Sequence, residues 1–326
     1  MTISIIGLGL IGGSMALDLR ARGIAGHILG MDRQSDHARQ ALELGLVDEL
    51  VLSLADACNA DLILLAIPVK ALQTLLPDLL DRVGPDTVIL DAGSTKQKIC
   101  SAVAAHPKRA QYVAAHPIAG TENSGPAAAL PGLFRNKTNI ICEPEKSSAK
   151  ALAVAEQVFG ALGMNTIYMG AEEHDRHVAY VSHLSHVSSF LLGQTVLDIE
   201  KDEKNIFNLA GSGFASTVRL AKSSPDMWAP IFEQNAEFLS QALLEYILHL
   251  QRFQYALMKR DTTELHRVLT EANRIRSVLE GIEVKQQKPE LTSPPDPLSA
   301  GEGGGTANPA AEAYPNSILP QQKINI

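Results

Sequence analysis

Histidines, hydroxyls and one arginine occur in this chain at spacings that suit proton transfer on a small carboxylated molecule. Asp91-Ala92-Gly93-Ser94-Thr95-Lys96 and His116-Pro117-Ile118-Ala119-Gly120-Thr121-Glu122 each adjoin an apolar run. Together they offer a hydroxyl (Ser94), an imidazole (His116) and a second hydroxyl (Thr121). Imidazole titrates near neutral pH and suits general-base work. Further on, a second cluster runs His174-Asp175-Arg176-His177 and then Ser182-His183-Leu184-Ser185-His186, which places His183 and His186 three residues apart on one helical face. Two neutral imidazoles facing a cleft suit a carboxylate or a keto oxygen, and Arg219 adds a bidentate carboxylate clamp. The same residues admit plainer roles: Ser94 as a helix cap, His116 as a hydrogen-bonded structural residue before proline, Arg219 in a surface ion pair. Metal ligation by His183 and His186 is a further reading, but no HExxH, paired cysteines or carboxylate triad supplies the other ligands. No metal is expected.

A second chemical signature opens the chain. Gly7-Leu8-Gly9-Leu10-Ile11-Gly12 follows the apolar run Ile3-Ser4-Ile5-Ile6 and leads into a stretch of helical period. In such a turn Gly7 makes the tight bend, Gly9 lets the backbone approach a pyrophosphate, and Gly12 lets helix and strand pack closely. The phosphate charge then lies on a helix N-terminus. The next apolar run, Ile28-Leu29-Gly30-Met31, ends in Asp32, placed to accept hydrogen bonds from a ribose. A carboxylate there repels a 2′-phosphate and favours NAD over NADP, while Arg33 offers that phosphate some accommodation. Asp32 also suits a cap for a helix beginning near Ser35. Ile67 and Pro68, closing the run at 61–66, complete the expected cofactor-binding set.

These residues need a scaffold, and the pattern supplies one. Strand-like runs at 3–6, 28–31, 61–66, 87–90, 112–114, 138–142 and 165–169 alternate with amphipathic stretches. Near-continuous apolar strands joined by helices imply an α/β fold, a doubly wound parallel sheet covered on both faces. Ligands bind beyond the carboxyl ends of such strands, where the polar segments above collect. The predicted organisation is a Rossmann-type domain over 1–170, helices only over 171–284, and a Pro/Gly-rich disordered tail over 285–326. The amphipathic stretch 241–250 reads as a buried dimer seam.

Composition narrows the class. The 326 residues carry a net charge of −8, and no dense Lys/Arg cluster interleaves with aromatics, so nucleic acid and anionic membrane are not expected partners. Cys58, Cys100 and Cys142 lack metal spacing and an even count, and read as reduced thiols. No secretory leader and no apolar run of roughly 18 residues is evident, so a cytoplasmic protein is expected.

GLGLIGGS at 7–14, DAGSTK at 91–96, HPIAGTENSG at 116–125, SHLSH at 182–186 and GFASTVRLAKSSPDMW at 213–228 together resemble the prephenate/arogenate dehydrogenase family, in order and over roughly the first 280 residues. The resemblance implies a Rossmann domain joined to a helical dimerisation domain, a homodimer, and NAD-dependent oxidative decarboxylation of prephenate to 4-hydroxyphenylpyruvate. It makes His116 the catalytic partner of the substrate's ring hydroxyl, Ser94 an orienting hydroxyl and Arg219 the binder of a substrate carboxylate. Thr121, Glu122, His183 and His186 would line the same pocket. The acidic HPIAGTE form favours prephenate over arogenate, the amino-acid counterpart. Two positions depart from the family pattern: Ser185 replaces a common proline, and Ala215-Ser216 replaces a basic-acidic pair. A β-hydroxyacid dehydrogenase or a non-catalytic NAD-binding protein would share the same plan.

Overall fold

The computed structural model describes residues 1–203 and 205–286. Eight strands form one sheet: β1 (Thr2–Ile6), β2 (His27–Met31), β3 (Glu49–Leu50), β4 (Leu62–Leu65), β5 (Val88–Asp91), β6 (Tyr112–Pro117), β7 (Thr138–Cys142) and β8 (Asn165–Met169). Their order is β3-β2-β1-β4-β5-β6-β7-β8. The chain winds outward from β1 in both directions, so the crevice of the doubly wound plan opens between the ends of β1 and β4.

Alternation along the central strands builds two cores. Ile3, Ile5, Leu62, Leu64 and Leu90 enter one face of the sheet, while Ile6, Ile63, Leu65 and Ile89 enter the other. The second core also takes Trp228 and Ile231, from the helix Pro225–Gln234. The helical part therefore packs its apolar side onto one sheet face. Burying side chains of this size contributes roughly 1.5–3 kcal/mol each.

Two features depart from the sequence reading. The two-residue strand β3 is too short to leave a periodic signal. More consequentially, β7 pairs with β6 antiparallel, Ala114 opposite Cys142 and Pro117 opposite Asn139, and β8 follows β7 in parallel. The expected parallel sheet thus covers β1 to β6 only. Between β6 and β7 the chain has only a short 3-10 turn, Pro126–Ala128, and without a crossover helix it returns in the opposite sense.

β6 divides its length between two neighbours. Tyr112 and Val113 pair with β5. Beyond them β6 turns toward β7, and the Asp91 side chain stands in for the lost ladder by accepting the Ala115 N–H at 3.0 Å. This fixes the strand one residue before His116.

After β8 the described chain is helical, beginning with Ala171–Val178. A π turn, Ala179–His183, runs directly into the helix Leu184–Asp202. The long helix Ala236–Met258 leaves Leu244 57% and Leu250 51% exposed. The last described helix, Arg276–Gln286, takes in the first two residues of the predicted tail, and the rest of that tail lies outside the described residues. Among the described residues no helix is long and apolar enough to cross a membrane.

Candidate functional site

The glycine turn shows why each glycine is there. Gly7 has φ +98°, and a Cβ on it would fall 2.4 Å from the Ala66 carbonyl oxygen. A Cβ on Gly12 would fall 2.0 Å from the Gly7 carbonyl oxygen. Both glycines are thus required by the protein's own backbone. Gly9 differs: a Cβ there would meet nothing within 4 Å. It is the N-cap of the helix Leu10–Ala21 and brings no capping side chain, so the backbone N–H groups of the first turn face an open approach. Leu8 and Leu10 bury their side chains and Ile11 is half-buried. Ile67 is half-buried beside Gly7, while Arg33 and Pro68 are exposed.

Asp32 closes the turn from β2. Its Oδ2 accepts the Leu8 N–H at 2.8 Å and its Oδ1 accepts the Gln34 N–H at 2.9 Å. The Leu8 N–H is therefore committed to Asp32 and not to a ligand. The helix that follows is Ser35–Glu43 with Gln34 as its N-cap, so Asp32 braces the segment before the helix instead of capping it. Each carboxylate oxygen keeps a second lone pair for a ribose hydroxyl.

The second cluster is built where β5 and β6 end. Asp91 is buried and saturated: Oδ2 accepts from the Gly93 N–H and the Lys96 ammonium, Oδ1 from the Tyr112 hydroxyl and the Ala115 N–H. A buried ion pair survives only when such extra bonds satisfy it, and this one pins the 91–96 loop beneath the site. His116, half-buried at the end of β6, places Nδ1 2.8 Å from His174 Nε2. His174 Nδ1 in turn lies 2.7 Å from Asp175 Oδ1. Burial pushes the His116 pKa well below the ordinary histidine value, and neighbouring His174 and Lys96 push the same way. Burial also lowers His174, against an opposing pull from Asp175. His116 is thus a neutral imidazole at neutral pH.

Ser94 is half-buried, and the bond orienting the His116 ring comes from His174 rather than from Ser94. The sequence singles out the cluster that begins His174-Asp175 but gives the pair no role in the site, and it gives no sign of Asn235. Asp175 also accepts the Lys96 and Gln97 N–H groups at 2.7 and 2.9 Å, joining the 91–96 loop to the first helix after the sheet. The one signal in the sequence was the adjacent His174-Asp175 pair, which reads equally as a polar helix start.

The histidines of the π turn and its helix part company. His183 is 1% exposed, its Nδ1 lies 3.0 Å from Asn235 Nδ2, and burial lowers its pKa to about 4. It does not face a cleft as expected, because the π turn carries it inward against the second core. His186 is half-buried, stacks on Trp228 with centroids 3.5 Å apart, and donates Nδ1–H to the Ser182 carbonyl at 3.0 Å. Burial lowers its pKa, and Arg219 is close enough to add to the effect. Arg219 lies 3.8 Å from Glu122, so the structure brings Glu122, His186 and Arg219 into one neighbourhood. Thr121 is half-buried and accepts the Asn123 N–H at 3.2 Å. Ser185, at the position of the family's proline, keeps a backbone N–H and turns its hydroxyl to the Val181 carbonyl at 3.4 Å. Among the described residues no His, Cys, Asp or Glu group has the arrangement of a metal site.

A doubly wound sheet with an open glycine at a helix N-terminus, joined to helices that carry histidines to its edge, defines a two-part, dinucleotide-binding class of protein. Comparison with known proteins gives the family. Residues 15–168 match the model of the prephenate dehydrogenase nucleotide-binding domain, and residues 170–271 match that of the prephenate dehydrogenase dimerization domain. The prephenate dehydrogenase of Bacillus subtilis is 30% identical over 289 residues, covering 88% of this chain and 77% of that protein. A crystal structure of prephenate dehydrogenase from A. aeolicus, in complex with hydroxyphenyl propionate and NAD+, is 31% identical with a TM-score of 0.79, covering 86% of this chain and 98% of that one. A crystal structure of Synechocystis arogenate dehydrogenase is 29% identical with a TM-score of 0.68, covering 86% of this chain and 100% of that one. The chain belongs to the prephenate/arogenate dehydrogenase family and is an oxidoreductase of that family.

Proposed function

We propose that this enzyme carries out the NAD-dependent oxidative decarboxylation of prephenate to 4-hydroxyphenylpyruvate, CO2 and NADH, a step of tyrosine biosynthesis. The observation that carries the reading is His116, an imidazole kept neutral by burial at the carboxyl edge of the sheet, on the same edge as the open Gly9 turn. The turn fits the cofactor: Gly9 leaves room for a pyrophosphate, the first-turn N–H groups face it, and Asp32 has lone pairs to spare for a ribose. NAD, when bound there, supplies the acceptor for the hydride leaving ring C4.

The chain's own residues do the rest. His116 accepts the proton of the C4 hydroxyl as the carbonyl forms there. Ser94, half-buried and beside it in the loop order, hydrogen-bonds the same hydroxyl. Arg219 neutralises a substrate carboxylate, with Thr121, His186 and Glu122 completing the pocket, and His183 backs His186 through Trp228. Loss of CO2 then restores ring aromaticity, so the protein needs to supply no further electron sink. Residues 1–170 serve as the cofactor domain and 171–284 as the substrate and dimerisation domain. The exposed apolar residues of Ala236–Met258 support a homodimer.

Arogenate is the alternative substrate. Glu122, 3.8 Å from Arg219, would give its ammonium group a carboxylate partner, whereas prephenate carries a keto group there. Initial rates at 340 nm with prephenate or arogenate, each against NAD and NADP, decide among the four pairs. Prephenate with NAD is expected to be the fastest. A higher kcat/KM for arogenate would transfer the assignment to that substrate, and no turnover of either would remove it.

A further inference from the structure

We propose that His174 and Asp175 are positioning residues which hold His116 in the tautomer protonated on Nδ1, leaving Nε2 as the basic nitrogen that meets the substrate. The inference deepens the reading of His116 as the base and rests on it.

Asp175 is 2% exposed, with Oδ1 accepting the Lys96 N–H and Oδ2 the Gln97 N–H. A carboxylate has no proton to give, so the 2.7 Å contact between Asp175 Oδ1 and His174 Nδ1 places a proton on His174 Nδ1. The His174 ring is fully buried, and burial holds it neutral, so its Nε2 is an acceptor. The partner of that Nε2, at 2.8 Å, is His116 Nδ1, which must therefore donate. His116 Nε2 is then the lone-pair nitrogen, and within the described residues it makes no hydrogen bond.

The opposite direction of the bond has a cost. It would require either a buried imidazolium at His174 or a bare Nδ1 set against a carboxylate oxygen at hydrogen-bond distance, and both are unfavourable. The anchor is firm as well: the Asp175 carbonyl accepts Asn235 Nδ2 at 2.7 Å, so two helices and the 91–96 loop converge on one residue. An imidazole ordered by a second group through one ring nitrogen, with the other left for proton transfer, is the logic of a base–orienter pair.

Two substitutions separate orientation from mere packing. In His174→Gln the amide oxygen reaches the place of Nε2 and still accepts from His116. In His174→Asn the side chain reaches only the place of Nδ1, so Asp175 keeps its partner and His116 loses its own. Long-range 1H–15N correlation spectra of the full-length protein labelled at histidine nitrogens, with His116 assigned through His116→Asn, read the tautomer directly. The expected wild-type pattern is Nδ1 protonated and Nε2 bare. His174→Gln should retain it with kcat on the preferred substrate within about fivefold of wild type. His174→Asn should lose it, with kcat down roughly 10- to 100-fold and KM within about threefold, the scale of losing a partner that orients a functional imidazole and less than the loss of the base itself.

A wild-type His116 protonated on Nε2 overturns the proposal. So does equal loss of activity in the two variants, or an unimpaired His174→Asn enzyme. The spectra need no substrate: an enzyme that turns over neither prephenate nor arogenate but shows the Nδ1–H pattern defeats the catalytic reading alone. If either variant fails to fold, the wild-type spectrum still decides.

Discussion

The carboxylate of Asp32 accepts the Leu8 backbone N–H at 2.8 Å across the gap between β2 and the glycine turn, so the residue proposed to bind the ribose also holds the loop proposed to bind the pyrophosphate. One substitution therefore disturbs both halves of cofactor recognition. In Asp32→Ala the Kd for NAD should rise about 10- to 100-fold, the equivalent of roughly 1.5–3 kcal/mol for hydrogen bonds to a charged group. Discrimination against NADP should fall at the same time. Fluorescence titration with each cofactor measures both, and unchanged affinity would place the ribose away from Asp32.

Gly9 and Gly12 should respond differently to alanine although they lie in one motif. In Gly12→Ala the new methyl group would lie 2.0 Å from the Gly7 carbonyl oxygen, so the backbone must shift. The ligand-free protein should lose about 5 °C or more in Tm, on the order of 2 kcal/mol. Gly9→Ala meets no protein atom within 4 Å, and should keep its Tm within about 2 °C while NAD affinity falls at least roughly tenfold, since the methyl group occupies the anion's approach. Equal loss of Tm in the two variants would show that Gly9 is required by the fold and not by a ligand.

Burial of the histidines sets the pH behaviour. Because burial depresses His116 below the ordinary value near 6.5, the ring stays neutral as pH falls through 6.5. The acid limb of kcat/KM should therefore lie below the ordinary histidine value near 6.5; a midpoint at or above that value would contradict a neutral base. For stability, His183 titrates at about 4 in the folded protein and near 6.5 when unfolded. Between those values the unfolded chain binds more protons, so stability rises with pH across that window and this contribution levels off above it. Urea unfolding at pH 5 and pH 7.5 checks the sign, with the lower stability expected at pH 5.

Much of the scaffold is visible in the sequence because its signals are local. The runs at 3–6, 62–65 and 88–90 alternate between two cores and so appear as near-continuous apolar strands, and Gly7 and Gly12 are demanded by contacts within a few residues or across one strand. The sense of β7 is not local. It depends on the lack of a crossover helix after His116, and residues 138–142 are equally apolar in either direction. His116 declared itself through its place after an apolar run, whereas His174 and Asp175 sit in a polar helix start and acquire their meaning only when Lys96 and Gln97 fold over them. His183 misled for the same reason: its spacing from His186 places both on one side of an ideal helix, and the π turn at Ala179–His183 carries the first inward to Asn235.

The most direct test of the account is His116→Asn, assayed for NADH formation with prephenate while NAD binding is titrated in parallel. General-base assistance is worth roughly 10²–10⁴-fold, so turnover should fall by that factor with the Kd for NAD unchanged, since the residue lies at the end of β6 and not in the glycine turn. A variant that retains nearly full turnover would remove His116 from the chemistry and the proposed mechanism with it.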